Sequence, residues 1–184
     1  FFFKQKTAYD IAVTGNYAYV AEGESGLMII DIGNPAAPAI KGSYAASEQA
    51  RYVYVSGKYA YVADDGLVVL DVSDPAAPAL ACRYEIQGDI NDVTVSGKYA
   101  YLLILDYTDR SQDALIDLVV LDVSDPAAIK YMGDHGYRNN DEYLSEVAVS
   151  GNYAYVTVGS QLIDYGGLTI FDIRDPASPK VVAG

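Results

Sequence analysis

With 184 residues the chain is long enough for one domain with a sizeable core. Lys and Arg number 12 against 25 Asp and Glu, and the resulting net charge of -13 argues against nucleic acid, whose phosphates need basic surface. A single cysteine, Cys82, excludes an internal disulfide framework and a cysteine-based zinc site, and no apolar run approaches the ~18 residues of a membrane span.

The chain begins without Met, on Phe1-Phe-Phe-Lys-Gln-Lys-Thr-Ala-Tyr, a string that resembles the translation of a sequencing-library adapter preceded by a run of T. Residues 1–9 are therefore expected to be a non-native leader, with any signal peptide lost from view.

From Asp10 a pattern is written four times. Its glycines, Gly15, Gly57, Gly97 and Gly151, fall 42, 40 and 54 residues apart, near the ~40-residue period of β-propeller blades. Expected repeats run over residues 10–49, 50–89, 90–143 and 144–184, and each divides into four short strands. Strand A alternates with period 2, as in Tyr52-Val-Tyr-Val-Ser and Asp92-Val-Thr-Val-Ser. A two-residue corner follows, in which glycine supplies the positive φ of a tight hairpin. Strand B is Tyr-Ala-Tyr-Val, or Tyr-Ala-Tyr-Leu in the third repeat. Its two tyrosines share one face while Ala and Val take the other, so the eight tyrosines are expected between blades, large face against small. Strand C is a nearly unbroken apolar run, such as Leu67-Val-Val-Leu, which signals burial on both faces. It ends at Asp31, Asp71, Asp122 and Asp172, read as corner residues, before an Asn-Pro or Asp-Pro turn. Strand D is more polar and suits an exposed outer edge. Cys82 lies in it, expected as a small buried hydrophobe.

These residues resemble the LVIVD repeat family of β-propeller proteins. Leu67-Val-Val-Leu-Asp and Leu118-Val-Val-Leu-Asp match its name-giving strand, and the Tyr-Ala-Tyr-Val and Asp-Pro-Ala-x-Pro motifs belong to the same pattern; Ile129 stands where a second proline is found in the other copies. The resemblance covers residues 10–184 and implies an all-β propeller of four-stranded antiparallel blades, at an extracellular or cell-surface location. It carries no agreed catalytic residues. Four blades are fewer than the about six to eight of most propellers. The chain therefore reads as an open fragment of a larger ring whose remaining blades are missing, with a closed four-bladed ring as the alternative.

Function is read from where the repeats differ in length. The strand C aspartate lies 26, 26 and 29 residues before the next glycine, but the second tyrosine of strand B lies 12, 10, 21 and 17 residues before that aspartate. Insertions thus fall in the B–C loops and in one D–A connection, which leave the same end of an antiparallel blade. Variable loops on a rigid scaffold commonly carry recognition. This face is acidic, with Glu22, Glu24, Asp64, Asp65, Asp117, Asp141 and Glu142. Its contact candidates are Asp106, Tyr107, Asp109, Asp113, Asp134, His135, Tyr137, Asp164 and Tyr165, from the loops 106–117, 134–144 and 159–166. Asp106, Asp109 and Asp113 could give Ca²⁺ three carboxylates, although their spacing lacks the alternate-residue pattern and turn glycine of an EF-hand. No other cofactor is indicated. Asp10, Tyr52, Asp92 and Glu146 begin the four A strands, near a channel mouth, where carboxylates would hold a cation or an acid–base pair. His135, beside Asp134, is the one histidine; it is expected in a flexible loop and has no serine in a recognisable nucleophile turn. No phosphate-binding glycine loop occurs. The sequence thus points to a non-catalytic module for a protein or carbohydrate partner. The alternatives are a propeller hydrolase or lyase working through the channel-mouth carboxylates, and a structural spacer.

Overall fold

The computed structural model describes residues 8–106, 115–138, 142–160 and 166–184. Every regular element among them is a strand. Blade 1 comprises β1 (Asp10–Thr14), β2 (Tyr17–Ala21), β3 (Leu27–Asp31) and β4 (Ala39–Tyr44). Blade 2 comprises β5 (Tyr52–Ser56), β6 (Tyr59–Ala63), β7 (Leu67–Asp71) and β8 (Ala79–Tyr84). Blade 3 holds β9 (Asp89–Ser96), β10 (Tyr99–Asp106), β11 (Leu115–Asp122) and β12 (Lys130–Arg138). Blade 4 holds β13 (Glu142–Ser150), β14 (Tyr153–Ser160), β15 (Gly166–Asp172) and β16 (Lys180–Ala183). Each sheet is an antiparallel meander in chain order. Blades 1 and 2 form one compact unit, ending at Glu85, and blades 3 and 4 another, beginning at Ile86.

The repeated corners are built as their residues dictate. Gly15, Gly57, Gly97 and Gly151 have φ between 56° and 61°, and an added Cβ would touch nothing within 4 Å, so glycine is there for its backbone alone. Asp31, Asp71, Asp122 and Asp172 each accept the backbone N–H two residues on, at 2.9 to 3.0 Å. The Asn or Asp before each proline does the same for Ala36, Ala76, Ala127 and Ala177. These paired Asx turns hold the strand C to strand D corner as expected.

One of them is further charged. Asp71 also accepts from the Ser73 hydroxyl and from Lys58 Nζ at 3.0 Å. The Ser73 hydroxyl and N–H, then Lys58, hold its carboxyl down at about 2. A depressed carboxylate stabilises the fold fully above the ordinary value near 4, and that stabilisation is lost as pH falls toward 2. The Asp71→Asn variant should therefore show a shallower loss of melting temperature between pH 4 and pH 2 than the wild type. An equal slope for both proteins would contradict this assignment.

The blade-to-blade packing follows the two-faced tyrosine strand. In the first unit Tyr19, Leu27 and Ile29 of blade 1 pack on Val53, Ala60 and Val62 of blade 2, with Tyr17 at the margin. In the second, Tyr101, Leu103 and Leu118 of blade 3 pack on Val147, Ala154 and Val156 of blade 4. The large face meets the small face in both. Full burial of one such leucine contributes about 1.5–3 kcal/mol. The expectation for the tyrosines holds for Tyr19, Tyr61 and Tyr101, all buried, but Tyr153 of blade 4 is 39% exposed and Tyr155 half-buried. Cys82 is likewise only half-buried, because it sits on an outermost strand whose sheet ends there.

Two further devices join the blades within each unit, and both recur. Gly42 of β4 and Gly133 of β12 leave no room for a side chain. A Cβ would come 2.3 Å from the Pro75 carbonyl oxygen at Gly42 and 2.4 Å from the Ala177 carbonyl oxygen at Gly133. Strand D of the first blade therefore lies directly on the Asp-Pro turn of the second. The other device lies in strand A and belongs to the candidate site.

Candidate recognition face

The strand registers put the start of A, the B–C loop and the end of D at one end of each blade, since Ala21 pairs with both Asp10 and Leu27, and Leu27 with Tyr44. In the first unit this end is tied by backbone. Gly23 and Ala50 exchange both hydrogen bonds, at 2.9 and 3.0 Å, linking the β2–β3 loop to the approach to β5.

A buried carboxylate completes the tie. Asp64, in the short β6–β7 loop, is 2% exposed. Its oxygens accept the backbone N–H groups of Ser47 and Glu48, each at 2.9 Å, and the Ser47 hydroxyl at 3.3 Å. Arg83 of β8 reaches Asp64 at 3.4 Å and also donates to its carbonyl oxygen at 2.7 Å. Burial of a charge is tolerated here because both carboxylate oxygens find donors. By sequence alone Asp64 is one of the loop charges. The one cation placed among the small and apolar residues of Ala79-Leu-Ala-Cys-Arg-Tyr was the available signal.

The strand A carboxylates have a similar occupation, although only Asp10 begins its strand: β9 starts at Asp89 and β13 at Glu142, because backbone pairing carries both strands past Asp92 and Glu146. Asp10 Oδ1 accepts the N–H of Ile11 at 2.7 Å, and Oδ2 accepts the N–H of Val53, in blade 2, at 2.9 Å. Asp92 repeats this in the second unit, accepting from Val93 at 2.8 Å and from Val147, in blade 4, at 2.7 Å. Both oxygens of both residues are thus engaged by amides, and each carboxylate staples one blade to the next. Tyr52 and Glu146 occupy the matching slot in the second blade of each unit and immediately precede the stapled valines. What the sequence suggested as acid–base chemistry is, for Asp10 and Asp92, an interblade hydrogen bond.

In blades 3 and 4 the positions predicted as loop from sequence are strand wherever they fall among the described residues. β10 and β11 run eight residues each, against five for β6 and β7, and their ladder extends to the pair Asp106 and Leu115. Ladder bonds come from backbone, so residues 134–138 and 142–146 join β12 and β13 although charged and polar side chains break any continuous apolar run there. Asp134 and His135 accordingly stand in β12, not in a flexible loop. The Asp134 carboxylate accepts from the Tyr131 hydroxyl. His135 is half-buried, with Nδ1 3.1 Å from the Pro179 carbonyl oxygen and its ring edge-on to Phe171 at 5.4 Å between centroids. It contacts blade 4 as a packed residue. Asp106 ends β10 and Tyr137 stands one residue before the end of β12, while Tyr107, Asp109, Asp113, Asp164 and Tyr165 lie outside the described residues. The proposed Ca²⁺ set falls mostly among them. Among the described residues no group of three His, Cys, Asp or Glu side chains comes together as metal donors.

The LVIVD repeat model matches residues 6–46, 48–86, 87–107, 113–135 and 143–183, five segments that take in most of the chain. The chain belongs to the LVIVD repeat family. The two segments on either side of residue 110 are the parts of the third repeat, divided at its longest B–C loop. Among curated proteins none matches. Among solved structures, a computationally designed protein, Ika4, is similar at 12% identity, over 91% of this chain and 92% of that one, with a TM-score of 0.65. Sqt1 of Saccharomyces cerevisiae is similar at 8% identity, over 95% of this chain and 46% of that one, with a TM-score of 0.66. The N-terminal domain of Nup159 is similar at 8% identity, over 93% and 46%, with a TM-score of 0.55. This LVIVD chain spans about half the length of the latter two. These likenesses show the fold: all-β, built of four-stranded antiparallel propeller blades, four of them present. Among the described residues no helix is long and apolar enough to cross a membrane.

Proposed function

We propose that this LVIVD repeat chain is a non-catalytic binding module of a secreted or cell-surface protein, contacting a protein or carbohydrate through its B–C and D–A loops. The observation that carries the reading is the uneven growth of the blades. The A–B and Asp-Pro corners repeat in all four, whereas β10, β11, β13 and β14 are extended only toward the loop end. A scaffold that lengthens at one end only presents more surface there. The engagement of Asp10 and Asp92 by backbone amides favours this reading over an enzyme, since it removes two of the three carboxylates that would do acid–base work. The family's usual setting supports the surface location.

The test follows from the register. Asp106 and Leu115 are directly paired, so replacing residues 107–114 with Asn-Gly should close a two-residue hairpin without disturbing the blade. Labelled wild-type and trimmed chains would be applied to a glycan array and to a displayed library of secreted proteins. Binding by the wild type that drops at least about tenfold on trimming, at an unchanged melting temperature, is the expected result. Equal binding by both chains, or none by either, would overturn the proposal.

A further inference from the structure

The β6–β7 loop of blade 2 is Asp64-Asp65-Gly66, and Asp65 is the one Asp or Asn in the sequence that glycine follows. In such a pair the backbone nitrogen of the second residue can attack the side-chain carboxyl carbon of the first and close a five-membered succinimide. Glycine has no Cβ to hinder that approach. Both reacting groups are free in the structure. Asp65 is exposed, and among the described residues nothing pairs with its carboxylate. No backbone carbonyl among them accepts the N–H of Gly66, whose own carbonyl oxygen takes the N–H of Asp64 at 2.9 Å. A third group completes the arrangement. Arg83 Nη1 donates to the Asp64 carbonyl oxygen at 2.7 Å and to the Asp65 carbonyl oxygen at 3.3 Å. The Asp65 carbonyl is conjugated with the Gly66 nitrogen, so the charge left when that nitrogen loses its proton falls on an oxygen already facing a guanidinium.

We propose that Asp65 is a self-modification site, where the folded chain converts its Asp65–Gly66 bond into an isoaspartyl link with Arg83 as the activating cation. In the first step the Gly66 nitrogen gives its proton to solvent and bonds to Asp65 Cγ. The Cγ–OH bond of the neutral carboxyl breaks, and the hydroxyl leaves as water. Water then opens the ring. Attack at the former backbone carbonyl carbon breaks its bond to the Gly66 nitrogen, leaving the chain to run through Cγ with a new α-carboxylate. Attack at Cγ restores aspartate. Water is the one co-reactant, and nothing is oxidised or reduced. Two features favour the isoaspartyl outcome. The new carboxylate forms where Arg83 already donates, so a neutral hydrogen bond becomes a charge-assisted one. Asp65 is also the one non-glycine among the described residues with positive φ, at 45°, and the extra methylene in the backbone releases that constraint. The lengthened loop adjoins Asp64, so the change is delivered to the clamp that holds Ser47 and Glu48.

The test incubates the whole folded chain in warm neutral buffer and samples it daily. Electron-transfer fragmentation in a mass spectrometer locates isoaspartate by residue, and an isoaspartyl-specific methyltransferase with labelled methyl donor measures the total. Isoaspartate should accumulate at residue 65 at least about tenfold faster than at any other aspartate. Asp65→Glu, whose ring would need six members, should remove that signal. Arg83→Gln should slow the reaction at least about threefold, with circular dichroism confirming that the variant is folded. Loosening the loop would by itself speed ring closure, so slowing separates activation by the cation from a structural effect. If Arg83→Gln does not fold, Arg83→Lys takes its place, since one ammonium cannot serve both the Asp64 carboxylate and the two carbonyls; the same slowing is expected. Isoaspartate at residue 65 no faster than elsewhere, or an Arg83 variant that reacts as fast as the wild type, would overturn the proposal.

Discussion

Replacing Asp64 with alanine should lower the unfolding free energy by about 1–3 kcal/mol, because it leaves a part-buried guanidinium and two backbone amides without their acceptor. The carboxylate is 2% exposed and serves Ser47, Glu48 and Arg83 at once. Ser47 and Glu48 are themselves exposed and Arg83 is half-buried, so water takes up part of what the carboxylate supplied, and the cost lies between that of a surface ion pair and that of a fully buried one. Asn at this position keeps one acceptor oxygen and should lose roughly half as much. Asp65→Ala next door supplies the control. Its carboxylate has none of these partners, and the residue holds φ at 45°, so only a modest backbone effect is expected there. Urea unfolding of the three variants would check the order. A loss below about 1 kcal/mol for Asp64→Ala would mean the clamp carries no weight.

The second large effect concerns Gly42. Alanine there would place Cβ 2.3 Å from the Pro75 carbonyl oxygen and 3.1 Å from Ala76, all backbone, with no flexible side chain to yield. Blade 2 must then draw away from blade 1, loosening the Tyr19 and Val53 packing, at about 3 kcal/mol or more. Gly133→Ala should do the same in the second unit, against Ala177. Gly57→Ala tests the opposite case: its Cβ meets nothing, only φ is unfavourable, and the cost should stay near 1 kcal/mol. Thermal melts with Gly42→Ala no worse than Gly57→Ala would refute the close approach of β4 to the turn.

How much of this could be read in the sequence depends on what makes each feature. The meander, the tight corners and the two-faced tyrosine strand were legible because each is a local pattern repeated four times, and a period that recurs is hard to mistake. Asp31, Asp71, Asp122 and Asp172 were legible as corners for the same reason. Gly42 and Gly133 sit inside strand D, where a glycine signals close backbone approach, but the residue approached lies 33 and 44 positions further on and has no local mark. Asp10 was placed correctly at the start of strand A, whereas Asp92 stands inside β9, which begins at Asp89; the acceptor role of both depends on the neighbouring blade's amide, which only packing reveals. The extension of β12 past His135 had no signal either, since ladder hydrogen bonds are indifferent to side chains.

The same distinction separates scaffold from recognition surface. If the strand A carboxylates are staples and the long loops make the contacts, stability and binding should be separable by mutation. The most direct measurement compares the chain trimmed at residues 107–114 with an Asp92→Asn chain, recording melting temperature and binding to the ligand found on the array or in the library. The expected result is that trimming abolishes binding at an unchanged melting temperature, while Asp92→Asn lowers the melting temperature and leaves binding intact below it. Loss of binding in Asp92→Asn at full stability, with the trimmed chain still active, would return the function to the strand A carboxylates and contradict the loop-face reading.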